Sequence, residues 1–112
     1  MSDRHRSALP PATALKLADL VAYAEGSIVS RAIVQERAAS LTIFAFDAGQ
    51  ALSEHTTAQD AYLQVLDGEA DLVVGGQAVV ARIGEVVRLP SGVPHEVNAS
   101  QRFKMLLTMV RV

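Results

Sequence analysis

The sequence predicts an all-β sandwich or barrel preceded by one short helix. Three observations carry this. Short apolar runs of strand length recur at even spacing from residue 27 to the C-terminus. Turn pairs punctuate them: Asp67-Gly68, Gly75-Gly76 and Ile83-Gly84. Helical spacing of apolar residues is confined to the stretch before Gly26. At 112 residues the chain has room for one core. With 14 Val, 12 Leu and 4 Ile it has the side chains to fill it, which excludes a disordered chain.

Residues 1–11 read as a flexible arm, polar, with Arg4, His5 and Arg6, and closed by Pro10-Pro11; 12–112 then form a single domain. Thr13 is placed to cap a helix over 14–23, with Leu17, Leu20 and Val21 on one face and Gly26 as the stop. Residues 27–34 are β-branched and short. Over 39–46, Leu41, Ile43 and Ala45 alternate with Thr42, Phe44 and Phe46, so both faces are largely apolar and the strand is expected to be covered on both sides. Strands follow over 61–66 and 72–74, with a two-residue hairpin at Gly75-Gly76 leading into 77–82, then 86–89. Pro90, Gly92 and Pro94 crowd the next connection, so 93–97 is expected as a short or edge strand. The run 102–112 is the longest, with Phe103, Met105, Leu107 and Met109 on one face. Those methionines, with Phe44 and Phe46, read as core.

Composition excludes several functions. Five aromatics and no Trp make a poor base-stacking platform, and ten basic against twelve acidic residues give no basic excess, so no nucleic acid is expected as a partner. The absence of Cys removes disulfides, thiolate zinc sites and thiol nucleophiles. No stretch reaches the roughly 18 apolar residues of a membrane span, so a cytoplasmic protein without a membrane partner is expected. Arg31 and Arg88 interrupt apolar strands and read as surface or subunit pairings ahead of a carboxylate clamp.

Two segments carry chemical information. The first runs from Gly49 through His55, Thr57 and Ala61 to Gly68. The second contains Gly84, Pro90, Gly92, His95 and Ala99. Together they resemble the two motifs of the cupin superfamily, small RmlC-like single-domain bacterial cupins in particular. In the family's first motif, G-x5-H-x-H followed by Glu and Gly, the positions Gly49, His55 and Gly68 match, whereas Thr57 stands for the second His and Ala61 for the Glu. In the second, G-x5-P-x-G-x2-H-x3-N, Gly84, Pro90, Gly92 and His95 match and Ala99 replaces the Asn. The resemblance spans about residues 26–112, including the segment that begins Gly68-Glu-Ala-Asp-Leu and the tail that begins at Phe103.

The resemblance implies a double-stranded β-helix, a jelly-roll barrel with its ligand site at one mouth. An intact motif set supplies three imidazoles and a carboxylate, a donor set for Zn, Ni, Mn, Fe or Cu with open positions for substrate. Here only His55 and His95 remain. Two neutral imidazoles hold a divalent ion weakly, so metal is an optional occupant. Alternation places Ser53, His55, Thr57 and Ala61 inward, and Glu54, Thr56 and Asp60 outward, because a one-residue slip moves a side chain to the other face. The expected pocket is therefore His55, Thr57, Ala61 and His95, receiving a small polar molecule. The alternatives are a metal-dependent dioxygenase or isomerase on a small oxygenated substrate, and a non-catalytic sensing or stabilising module. The two-sided apolar strands predict a homodimer, with the N-terminal segment adding a strand to its neighbour.

Overall fold

A computed structural model of the protein describes residues 7–111. It has nine strands: β1 (Ile28–Gln35), β2 (Ala39–Phe46), β3 (Ala51–His55), β4 (Asp60–Asp67), β5 (Glu69–Val74), β6 (Gln77–Arg82), β7 (Val86–Leu89), β8 (His95–Asn98) and β9 (Phe103–Val110). They form a five-stranded sheet of order β1-β2-β9-β4-β7 and a four-stranded sheet of order β3-β8-β5-β6, and every pairing is antiparallel. This is the jelly-roll arrangement the strand pattern and the motifs predict.

The main core lies between the sheets. Phe46, Leu63, Val65, Phe103 and Met105 from the larger sheet meet Ala70, Leu72, Ala81 and Val97 from the smaller one. Phe46 and Phe103 are paired across β2 and β9, and their rings stack at 4.5 Å. Full burial of each such side chain contributes about 2 kcal/mol, which makes this layer the main source of stability. Alternation in β9 puts Phe103, Met105, Leu107 and Met109 against this core, as the sequence indicates.

Gly68 lets the chain change sheets between β4 and β5 with a single linking residue. Its φ is +70°, and a Cβ there would lie 2.3 Å from the carbonyl oxygen of Arg102. Only glycine meets both demands. Gly75 and Gly76, both at positive φ, close the β5–β6 hairpin as the dipeptide predicts.

A second core covers the outer face of the larger sheet. Ile33, Ile43 and Ala45 are buried there, with Leu41 and Leu106 beside them, under Leu9, Leu17, Leu20, Val21 and Tyr23 of the N-terminal segment. The two-sided apolar pattern of β2 is therefore met in part by the chain's own N-terminus. The expected helix over 14–23 is a single 3₁₀ turn, Leu17–Leu20. Thr13 does not cap it: its hydroxyl donates to the carbonyl of Pro11, and Lys16 at the cap position makes no side-chain cap bond. Without a cap, two turns of helix are too short to stand alone, and an extended path spreads the apolar side chains across the sheet.

Polar contacts fix the segment in place. Arg31 donates to the carbonyl of Leu20, Lys104 to that of Ala18, and the Tyr23 hydroxyl to Asp67 at 2.5 Å. Arg102 and Lys104 also lie over the Tyr23 ring. Farther forward, Ser7 bridges to Val34 and the Ala8 amide donates to Ile33, along the edge of β1; the remainder of the expected arm, residues 1–6 with His5, lies outside the described residues.

Of the short or edge strand expected over 93–97, the short one is found, since β8 has four residues, and the edge position is corrected. β8 lies inside its sheet, between β3 and β5. Pro90 and Pro94 both precede its first residue, so neither removes a ladder hydrogen bond. Among the described residues no helix is long and apolar enough to cross a membrane.

Candidate functional site

His55 ends β3 and His95 begins β8, and the two are paired across the strands. Their register is not that of a regular ladder. Leu52 pairs with Val97, and the register shifts between Leu52 and His55. Leu52 packs on the main core, so unbroken alternation would turn His55 to the opposite face. The bulge inserts one residue, re-aims His55 and sets it beside His95. Their rings meet edge to face, 4.4 Å between centroids.

The two imidazoles have different surroundings. His55 is exposed, and its Nδ1 lies 2.8 Å from the carbonyl oxygen of Ser53. His95 is 4% exposed and is the one polar side chain within the described core. It is paired with apolar Val74 on its other side, and its Nδ1 lies 3.4 Å from the carbonyl oxygen of Val93. Burial lowers its pKa below the ordinary histidine value, and the neighbouring His55 adds to that; the contact with Val93 acts in the opposite direction.

The other two residues of the expected pocket are placed differently. Thr57 lies in the loop after β3, where its hydroxyl donates to the carbonyl of Gln59 at 2.8 Å. Ala61 is buried in the main core, paired with Leu89 and Met109. The structure thus brings His55 and His95 together and gives Thr57 and Ala61 structural contacts. Ala61 faces inward as alternation indicates, but within the packed core; the bulge and the loop separate Thr57 from the regular alternation of β3.

Sequence reasoning missed the role of Asp60. Its carboxylate accepts the Ser91 amide at 2.9 Å and Arg88 Nη2 at 3.0 Å. The Ser91 amide, then Arg88, hold its pKa below the usual carboxylate value. The Gly92 amide donates to the carbonyl of Thr57 at 2.8 Å. Asp60 and this backbone bond therefore tie the loop that follows His55 to the loop that precedes His95. The only hint in the sequence is that Asp60 falls one residue short of the family's carboxylate position. Arg88 is the surface pairing expected of it, and Arg31 is engaged by the N-terminal segment.

Residues 42–111 match the family model described as Cupin domain. This chain is a cupin. A cupin 2 conserved barrel domain protein from Leptotrichia buccalis superposes with a TM-score of 0.84 at 39% identity, covering 87% of this chain and 47% of that one. A cupin superfamily protein from Desulfitobacterium hafniense superposes with a TM-score of 0.87 at 28% identity, covering 93% of this chain and 95% of its own. An uncharacterized protein of Streptomyces coelicolor is 36% identical over 63 residues; that match spans 56% of this chain and 60% of the relative.

The family's metal-binding set can be tested against this cupin's side chains. No group of three or more His, Asp or Glu residues converges among the described residues. Ala61 has no donor atom, and the Thr57 hydroxyl is directed to a carbonyl. The three-imidazole, one-carboxylate centre does not fit here, because two of its four donors are replaced by side chains that cannot serve.

Proposed function

We propose that this cupin binds a small polar molecule at the His55–His95 pair, with a divalent ion as an optional, weakly held occupant. One observation supports this above the rest: a β-bulge places an exposed imidazole against a buried one at a strand end. A core built only for packing has no need of a buried imidazole beside a second one, because burying polar groups costs free energy unless they are partnered. Bulges of this kind commonly re-aim a side chain at a functional site.

The test is a thermal-shift screen of small polar metabolites on the wild type and on a His55→Ala/His95→Ala double variant. A ligand at about 100 times its Kd stabilises the folded state by about 2.7 kcal/mol. In a domain of this size that raises Tm by about 10 °C or more. The shift is expected in the wild type and absent in the variant. Ligands that stabilise both proteins equally would reject the histidine pair as the site.

We propose also that the chain acts as a homodimer. Tyr62, Val86 and Val110 are exposed on the outer face of β4, β7 and β9, at 38%, 61% and 40%. The register supports one shared face: Tyr62 is opposite Arg88 and Thr108, and Gln64 is opposite Val86. This part of the face lies beyond the apolar residues that the N-terminal segment covers.

A further inference from the structure

The donor and acceptor pattern of the two imidazoles restricts what can be bound. A carbonyl oxygen only accepts hydrogen bonds. Nδ1 of His55 faces the carbonyl of Ser53 and Nδ1 of His95 faces that of Val93. At 2.8 Å the Nδ1 of neutral His55 must carry the ring proton, and the longer contact of His95 favours the same form, which leaves each Nε2 with a bare lone pair. Five of the described cations have partners of their own. Arg88, Arg102 and Arg82 pair with Asp60, Asp47 and Glu69, while Arg31 and Lys104 donate to carbonyls of the N-terminal segment.

Resting on the ligand-site reading above, we propose that the ligand is a hydrogen-bond donor, a diol, primary amide or amine that presents O–H or N–H groups to the two Nε2 atoms. Ionised carboxylates are discriminated against, because they bring only acceptors to two acceptors. Such a mismatch leaves lone pairs facing each other without a proton between them, and specificity of this origin is stronger than that of apolar fit.

The experiment uses full-length protein labelled with ¹⁵N-histidine, at about pH 8, where an ordinary imidazole is neutral. Multiple-bond ¹H–¹⁵N spectra read the tautomers directly. Both rings are expected as the Nδ1–H form; an Nε2–H form in either ring overturns the inference. The same sample is then titrated with 1,3-propanediol, malonamide and malonate, three probes of similar skeleton. The diol and the amide are expected to move both ring signals saturably, malonate at least about tenfold more weakly, a difference of 1.4 kcal/mol. In the His55→Ala variant, whose exposed site tolerates truncation, the remaining His95 signal is expected to respond about tenfold more weakly to the diol. Tightest binding by malonate overturns the donor-ligand inference and leaves the ligand-site reading standing. Ring signals that respond to none of the three overturn both.

Discussion

His55 and His95 are in contact, yet removal of each has a different consequence. His55 is exposed and its one bond is to a local carbonyl, so His55→Ala is expected to change unfolding free energy by no more than about 0.5 kcal/mol. His95 is buried, and His95→Ala is expected to cost about 1–3 kcal/mol through lost contacts and a freed carbonyl. Urea denaturation of the two single variants checks this; equal and large losses, above about 3 kcal/mol each, would mark both rings as packing elements and count against a ligand site. The lowered pKa of His95 also sets a pH dependence. The unfolded chain takes up a proton near pH 6.5, whereas the folded one resists it, so stability is level above about pH 6.5 and falls as the pH drops from there through the lowered folded value. Asp47, held at about 2 first by Arg102 and then by the Gly26 amide, contributes stability that is lost only below about pH 4. The interval between about pH 5 and pH 6.5 therefore isolates the histidine. His95→Leu is expected to flatten the urea midpoint across that interval; an unchanged slope would assign it to other groups.

The elements that carry the pair depend on two features outside it. Asp60→Ala removes the side-chain tie between the loops flanking β3 and β8, and hydrogen exchange in residues 56–59 and 90–94 is expected to quicken while exchange in β9 stays unchanged. Uniform quickening would mean a global loss of stability rather than a freed mouth. Gly68→Ala is expected to cost at least about 2 kcal/mol, since it combines positive φ with a Cβ against the Arg102 carbonyl; a neutral result in urea denaturation would contradict the close approach of β4 to that backbone. Much of this architecture was legible in the sequence. The strands β6 and β7 fall where alternation and turn residues put them, because their registers are regular and their turns carry glycine, and β2 falls where its alternation puts it although β1 opposite it carries a register shift. The motif positions Gly84, Pro90, Gly92 and His95 pointed to the right family. The bulge in β3 was not legible, since nothing in Leu52-Ser53-Glu54-His55 signals an extra residue, and it alone decides which way His55 faces. The internal position of β8 was hidden because the prolines beside it lie just outside the paired residues. The Asp60 tie was hidden because a face assignment does not show that a side chain reaches backbone in a distant loop.

At the scale of the molecule, the N-terminal segment acts as a cover for one sheet face, and its attachment makes a prediction in alkali. The Tyr23 pKa is raised, first by burial and then by its bond to Asp67. Its contribution is fully present below about pH 10, the unfolded value, and is lost as the pH rises through the raised folded value. Tyr23→Phe is expected to remove that alkaline loss, read as the Tm above about pH 10; an identical alkaline profile would show that the hydroxyl does not hold the segment. Sedimentation equilibrium checks the proposed dimer: a mass of two chains is expected, reduced to one by a Tyr62→Glu/Val86→Glu variant, and a wild-type monomer at about 100 μM would reject it. The measurement that bears most directly on the central claim, a two-imidazole ligand site in place of the family's four-donor metal centre, is metal content by plasma mass spectrometry. It is made on untagged protein before and after chelator, beside the His55→Ala/His95→Ala variant. The account predicts well under one metal per chain, removed by chelator, and less still in the variant. Near one metal per chain that survives the chelator in the wild type and is lost from the variant would contradict it, because two neutral imidazoles without a carboxylate do not hold an ion so tightly.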